Sequence, residues 1–217
     1  MIRFAGYCTY PDIGDKVKLF LALAPIGTVG HIKGAFKVLD IFFALFGVYD
    51  FLLSNNITKW IAQQICGNDY EAEEVCEDIL FLAEGPSTDN LNITRLPIYL
   101  SHSPAGTSTK NVLHFSQEVN SDKFRMFDYG TVGNRKEYGT LTPPEYQPSK
   151  MKVPVALFHS AIDWQADPED VDWLVSQLQT VVFSQNYDEY SHLDFVWSYN
   201  AHTDVYRDVV ALLQQYK

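Results

Sequence analysis

Val153-Pro154-Val155-Ala156-Leu157-Phe158-His159 is a short, unbroken apolar run. A run without polar alternation suits a strand buried on both faces, as in a parallel sheet covered by helices. Pro154 is tolerable near the start of such a strand. Just beyond lies Asp167-Pro168-Glu169-Asp170, which supplies an N-cap acid, a proline at the first helical position and acids in the first turn. Val171, Leu174, Val175 and Leu178 then share one helical face. Working outward, Lys18-Leu19-Phe20-Leu21-Ala22-Leu23-Ala24-Pro25 reads as an earlier strand, with residues 2–10 as a helix before it. Thr180-Val181-Val182-Phe183 reads as a later, shorter strand. A closing helix is expected from about Thr203, with Val205, Val209, Leu212, Leu213 and Tyr216 at helical spacing. Strand and helix alternating at this rhythm predict an α/β domain with a parallel sheet.

Between the first two strands lies a long insertion, residues 26–150, too large for a loop and therefore expected to be a cap or lid. Residues 1–25 and 151–217 then form the core. The insertion is expected to hold an aromatic-rich helical stretch over 36–53, a helix near 109–119 and a polar tail with Gly130, Gly133 and Gly139.

Composition narrows the classes. The 217 residues are 47% hydrophobic and 20% charged, which is ordinary for a globular chain and excludes disorder as the main state. Sixteen Lys and Arg face 27 Asp and Glu, giving a net charge of −11 with no basic stripe for phosphates, so nucleic acid is not an expected partner. The most apolar long stretch, residues 34–53, carries Lys37, Asp40 and Asp50, which makes it a poor bilayer span. The start of the chain lacks the apolar segment of a secretory signal. The interior nonetheless carries two glycosylation sequons, at Asn56 and Asn92, and two nearby cysteines, Cys66 and Cys76. Cys8 reads as a small buried hydrophobe.

Reactive groups in an open α/β sheet sit just past the carboxyl ends of the strands. Asp163 follows the second strand and His192 the third. An acid and then a histidine about thirty residues on is the order of the triad of α/β-hydrolases, Ser then Asp then His. An imidazole takes the serine proton, and a buried carboxylate holds its tautomer and stabilises the cation that forms. Spacing alone leaves a second reading open, with Asp163 as a turn former and His192 as a packed polar residue. No G-x-S-x-G nucleophile elbow occurs in the 217 residues, and the serine is expected just upstream of Met1. Ser103, Ser108 and Ser116 fall in the insertion, while Ser160 and Ser191 crowd the acid and the base. His192-x-Asp194 as a metal pair lacks a third ligand nearby. His102 and His114 read as packing or surface groups, and His31, His159 and His202 belong to no constellation.

Tyr99-Leu100-Ser101-His102-Ser103-Pro104-Ala105-Gly106-Thr107-Ser108 and Lys110-Asn111-Val112-Leu113-His114-Phe115-Ser116-Gln117 resemble the cap signature of the acid lipases, the gastric and lysosomal acid lipase family. Leu21-Ala22-Leu23-Ala24-Pro25, Ala166-Asp167-Pro168-Glu169-Asp170-Val171 and His192-Leu193-Asp194-Phe195 are similar as well. The resemblance runs the length of the chain and implies the carboxyl-terminal half of a neutral-lipid ester hydrolase. The fold implied is an incomplete α/β-hydrolase: the last strands of the sheet, with flanking helices and a large, mainly helical cap. It implies Asp163 as triad acid and His192 as base, and triacylglycerols or steryl esters met at a lipid–water interface. A disulfide between Cys66 and Cys76, N-glycosylation, a secreted or lysosomal parent, and no cofactor or metal are implied too. In that family the elbow, the oxyanion-hole loop and the first strands precede the position matching Met1, and a further cap cysteine of vertebrate members stands here as Glu84. The chain by itself is therefore expected to be inactive. The competing expectation is a non-catalytic lipid-binding or partner-binding remnant that uses the cap's apolar groove.

Overall fold

A computed structural model describes residues 1–34, 37, 50–51, 85, 90–92, 95–102 and 107–217. Phe4, Tyr7 and Cys8 fall three and four residues apart, which gives helix α1 (Ile2–Thr9) one apolar face. That face packs on strand β1 (Phe20–Leu23), with the Phe4 and Tyr7 rings 5.0 and 5.4 Å from the ring of Phe20. Cys8 is a free thiol in this contact, and burial pushes its pKa up to about 11.

A two-residue strand β2 (Asp50–Phe51) comes next, then α2 (Leu96–His102), and β3 (Thr107–Ser108), which pairs antiparallel with β2. Ser108 caps α3 (Thr109–Ser121) by accepting the Asn111 N–H, and the helix ends at Asp122 in the left-handed region, φ 50°. Helix α4 (Gly130–Tyr138) closes on Gly139, φ 77°, the conformation that glycine adopts without steric cost. Strand β4 (Val155–His159), helix α5 (Pro168–Gln177) and strand β5 (Val181–Asn186) follow, then α6 (Asp194–Trp197), α7 (Ala201–Asp204) and α8 (Tyr206–Gln215).

The sheet has the order β1-β4-β5 and both pairs are parallel, which is the α/β class expected. Successive side chains of a strand point to opposite faces. Val155 and Leu157 accordingly enter a core with Phe4, Tyr7, Ala22, Leu174 and Leu178. Ala156 and Phe158 enter another with Val171, Tyr190, Phe195, Val205 and Leu212. These four of the five β4 residues are fully buried, which is why the strand reads as one apolar run.

Several expectations change. Strand β5 runs on to Asn186, because Ser184, Gln185 and Asn186 lie on an edge strand largely open to water. Residues 130–138 are a helix and not a polar tail. Asn134 holds that helix in place, donating from Nδ2 to Asp128 Oδ1 and accepting the Tyr129 N–H, a polar network that leaves no apolar period to read. The closing helix breaks at Val205, and Leu213 is half exposed while Val205 and Leu212 are buried. Of the expected helical stretch over 36–53, only 37, 50 and 51 are described, and 50–51 form a strand. Cys66, Cys76, Asn56 and Ser103 lie outside the described residues; Asn92 is half-buried. Among the described residues no helix is long and apolar enough to cross a membrane.

Candidate active site

The chain leaves β4 at His159 and turns at Ser160, whose hydroxyl oxygen accepts the Ile162 N–H. Asp163 comes next, 1% exposed. Its Oδ1 accepts the backbone N–H groups of Gln165 and Ala166, each at 2.8 Å, so the carboxylate folds its own loop into a fixed turn. Trp164 O accepts the Lys33 N–H, and Gly85 packs against the same turn. Asp167 then caps α5 by accepting the Glu169 N–H, as its position in the sequence suggests.

The second half of the site follows β5. Tyr187 N–H donates to His159 O, which ties the two strand ends together. The Tyr187, Tyr190 and Phe195 rings lie 5.4 to 5.8 Å apart beneath the next turn. In that turn Asp194 Oδ2 accepts the Ser191 N–H at 2.7 Å. Asp194 is 1% exposed and burial holds its pKa up. Its carboxylate thus shapes the turn that follows β5. The turn presents His192 to Asp163: Nδ1 stands 3.0 Å from Oδ2 and 3.2 Å from Oδ1. A carboxylate only accepts, so the proton of this contact sits on Nδ1 and the lone pair on Nε2. An imidazole oriented in this way can take a proton at Nε2, with the charge that appears stabilised by a desolvated carboxylate.

Residues 90–102 flank the same turn. Asn90 donates to Glu189 O and accepts the Tyr199 N–H, Leu91 bridges to Ser198, and the Tyr99 ring stacks on Trp197 at 4.6 Å and 9°.

The remaining sequence candidates separate. Ser108 is a helix cap and Ser116 is buried within α3. His114 meets the Arg125 carbonyl at 2.8 Å, a packing role. His159, expected to stand apart, meets Ser184 across the β4–β5 pair at 3.0 Å, and burial lowers its pKa. His31, expected to belong to no constellation, faces Asp170 and Glu169. Those partners lie about 139 residues away in sequence, so no local spacing could have signalled them.

Lipase lipl-1 of Caenorhabditis elegans is 41% identical over 212 residues, covering 93% of this chain and 52% of that protein. Gastric triacylglycerol lipase of Bos taurus is 36% identical over 222 residues, covering 100% of this chain and 56% of that one. The chain belongs to the acid lipase family. Lipase member K of Homo sapiens, another relative, is 36% identical over 99% of this chain and 55% of its own length. The chain thus spans about half the length of these curated lipases. No family model matches it. Among solved structures, an alpha/beta hydrolase fold protein from Nakamurella multipartita aligns at 13% identity and TM-score 0.44, covering 96% of this chain and 65% of that one.

Proposed function

We propose that Asp163 and His192 are the acid and base of a Ser-Asp-His triad in a hydrolase of neutral-lipid esters, triacylglycerols or steryl esters. The observation that carries this reading is the 3.0 Å contact from His192 Nδ1 to a carboxylate that is itself 1% exposed and pinned by two backbone N–H groups. The lipases it resembles support the substrate class. His192 Nε2 takes the proton of a serine hydroxyl as that oxygen attacks the ester carbonyl, then returns it to the departing alcohol. Asp163 orients the ring and stabilises the imidazolium. The serine and the oxyanion donors come from outside these 217 residues, which hold no G-x-S-x-G. Residues 26–150 act as the cap that meets the lipid–water interface. A Cys66–Cys76 disulfide and glycans on Asn56 and Asn92 suit a secreted or lysosomal parent.

The test is hydrolysis of emulsified triacylglycerol and steryl ester by the chain alone and by the longest polypeptide its transcript encodes. The chain alone is expected to be inactive. The longer polypeptide should lose roughly 10⁴-fold in rate with Asp163→Asn and about 10⁶-fold with His192→Ala. Hydrolysis by the longer polypeptide that ignores both substitutions would refute the assignment. A transcript that encodes nothing beyond this chain would favour a non-catalytic lipid binder.

A further inference from the structure

His31 lies in the turn after β1, and both of its ring nitrogens face carboxylates of α5. Nδ1 stands 3.0 Å from Asp170 Oδ1, and Nε2 stands 3.3 Å from Glu169 Oε2. A neutral imidazole has a single N–H, so one of these contacts would set a lone pair against a carboxylate; only the imidazolium satisfies both. A third carboxylate approaches from another element. Asp122, at the end of α3, places an oxygen so that it, an Asp170 oxygen and a His31 nitrogen all lie within 4.8 Å of one another. Gly30 makes room for it, since a Cβ there would lie 2.0 Å from Asp122 Oδ1.

Asp170 is the anchor. It is 2% exposed, and it also accepts the Thr28 hydroxyl at 2.8 Å and the His31 backbone N–H at 3.1 Å. The Thr28 hydroxyl lies 3.2 Å from Asp122 Oδ1 as well, one proton shared between two carboxylates. Alongside, Lys33 pairs with Asp167 at 2.6 Å, and its backbone N–H bonds to Trp164 O. Residues 28–33 therefore grip the stretch that runs on directly from Asp163 into α5. The charged groups facing the imidazole are Asp170 and Glu169 from α5 and Asp122 from the end of α3. The hydrogen bond to Asp170 raises the His31 pKa, burial works against it, and the three negative charges add to the rise.

We propose that His31 is a proton-operated clamp, which as the imidazolium fastens the turn after β1 to the start of α5 and the end of α3, and which lets go on losing its proton. A histidine held above its ordinary pKa gives stability that is fully present below about 6.5 and is lost as pH rises through its value in the folded chain. The clamp stands independently of the hydrolase reading.

The experiment follows backbone hydrogen exchange of residues 28–33 and 168–172, together with Tm, for the purified protein and for His31→Gln between pH 5.5 and 8. The His31 ring is half exposed, so the variant should fold. Protection of both segments in the unmodified protein should fall severalfold across this range and stay flat in the variant. The Tm difference between the two should be about 2–4 °C at pH 5.5 and become smaller toward pH 8. Parallel profiles for the two proteins would overturn the proposal. So would zinc chloride at pH 8 restoring protection to the unmodified protein alone, since the cluster would then be a cation site.

Discussion

Replacing Glu118 with leucine should make the fold more stable at neutral pH and flatten its dependence on pH. Glu118 is a side chain of α3, fully buried, and neither of its oxygens makes a well-formed hydrogen bond. The His114 ring stands 3.8 Å from Oε1. Burial pushes the carboxyl from an ordinary 4.5 up to about 8, and the Arg125 backbone, the charge of the Met1 amino group and the charge of Arg125 pull it back only in part. The folded chain thus holds this proton more tightly than the unfolded chain does. Stability is fully present below about pH 4.5 and declines as pH rises toward 8. The gap corresponds to about 5 kcal/mol between the two ends, and about 3 kcal/mol of it is already lost at pH 7. That is a large share of the roughly 5–15 kcal/mol that holds a typical domain together. Leucine has no proton to lose and fills a similar apolar space. The assay is guanidinium unfolding followed by tryptophan fluorescence at pH 5, 7 and 8, with the difference between the two proteins reporting Glu118 together with its coupling to the Met1 amino group, whose own pKa burial lowers to about 6. Curves that run parallel across the range would show that Glu118 does not titrate there, and the argument from its burial would fail.

Two further substitutions probe the site's supports. Gly85 sits at φ +109°, and a Cβ there would lie 2.8 Å from Ile162 O and 3.1 Å from the Trp164 ring; Gly85→Ala should therefore cost roughly 1–3 kcal/mol and displace the turn that carries Asp163, as read by Tm and by the His192–Asp163 distance in a crystal structure. Leu174 is fully buried between α5 and the sheet, and Leu174→Ala should cost about 2–5 kcal/mol in chemical denaturation with an unchanged m-value.

The core was legible because its signals are local. An unbroken apolar run marks β4, since that strand is covered on both faces. Asp167-Pro168 marks the start of α5, since capping acts within one turn. Asp163 and His192 could be placed because each lies a few residues past a strand end, where an open sheet exposes its loops. Helix α4 was missed because an Asn134 network holds it where an apolar face would otherwise give a period. The His31 cluster was missed for another reason: it joins Thr28, Asp122 and Asp170, three segments brought together only by the finished fold. Strand β5 was cut short because polar residues on an edge strand do not read as strand.

Phe20 pairs with Val155, so two adjacent strands of one sheet are separated by about 135 residues of chain. Closing so long a loop costs on the order of 4 kcal/mol in chain entropy before any hydrogen bond between the strands is made. At ribosomal speeds of about 5–20 residues per second, β1 must wait on the order of ten seconds for its neighbour to be synthesised. Throughout that interval the edge of Phe20-Leu21-Ala22-Leu23 that pairs with β4 lacks that strand, and an open strand edge is a ready template for mispairing.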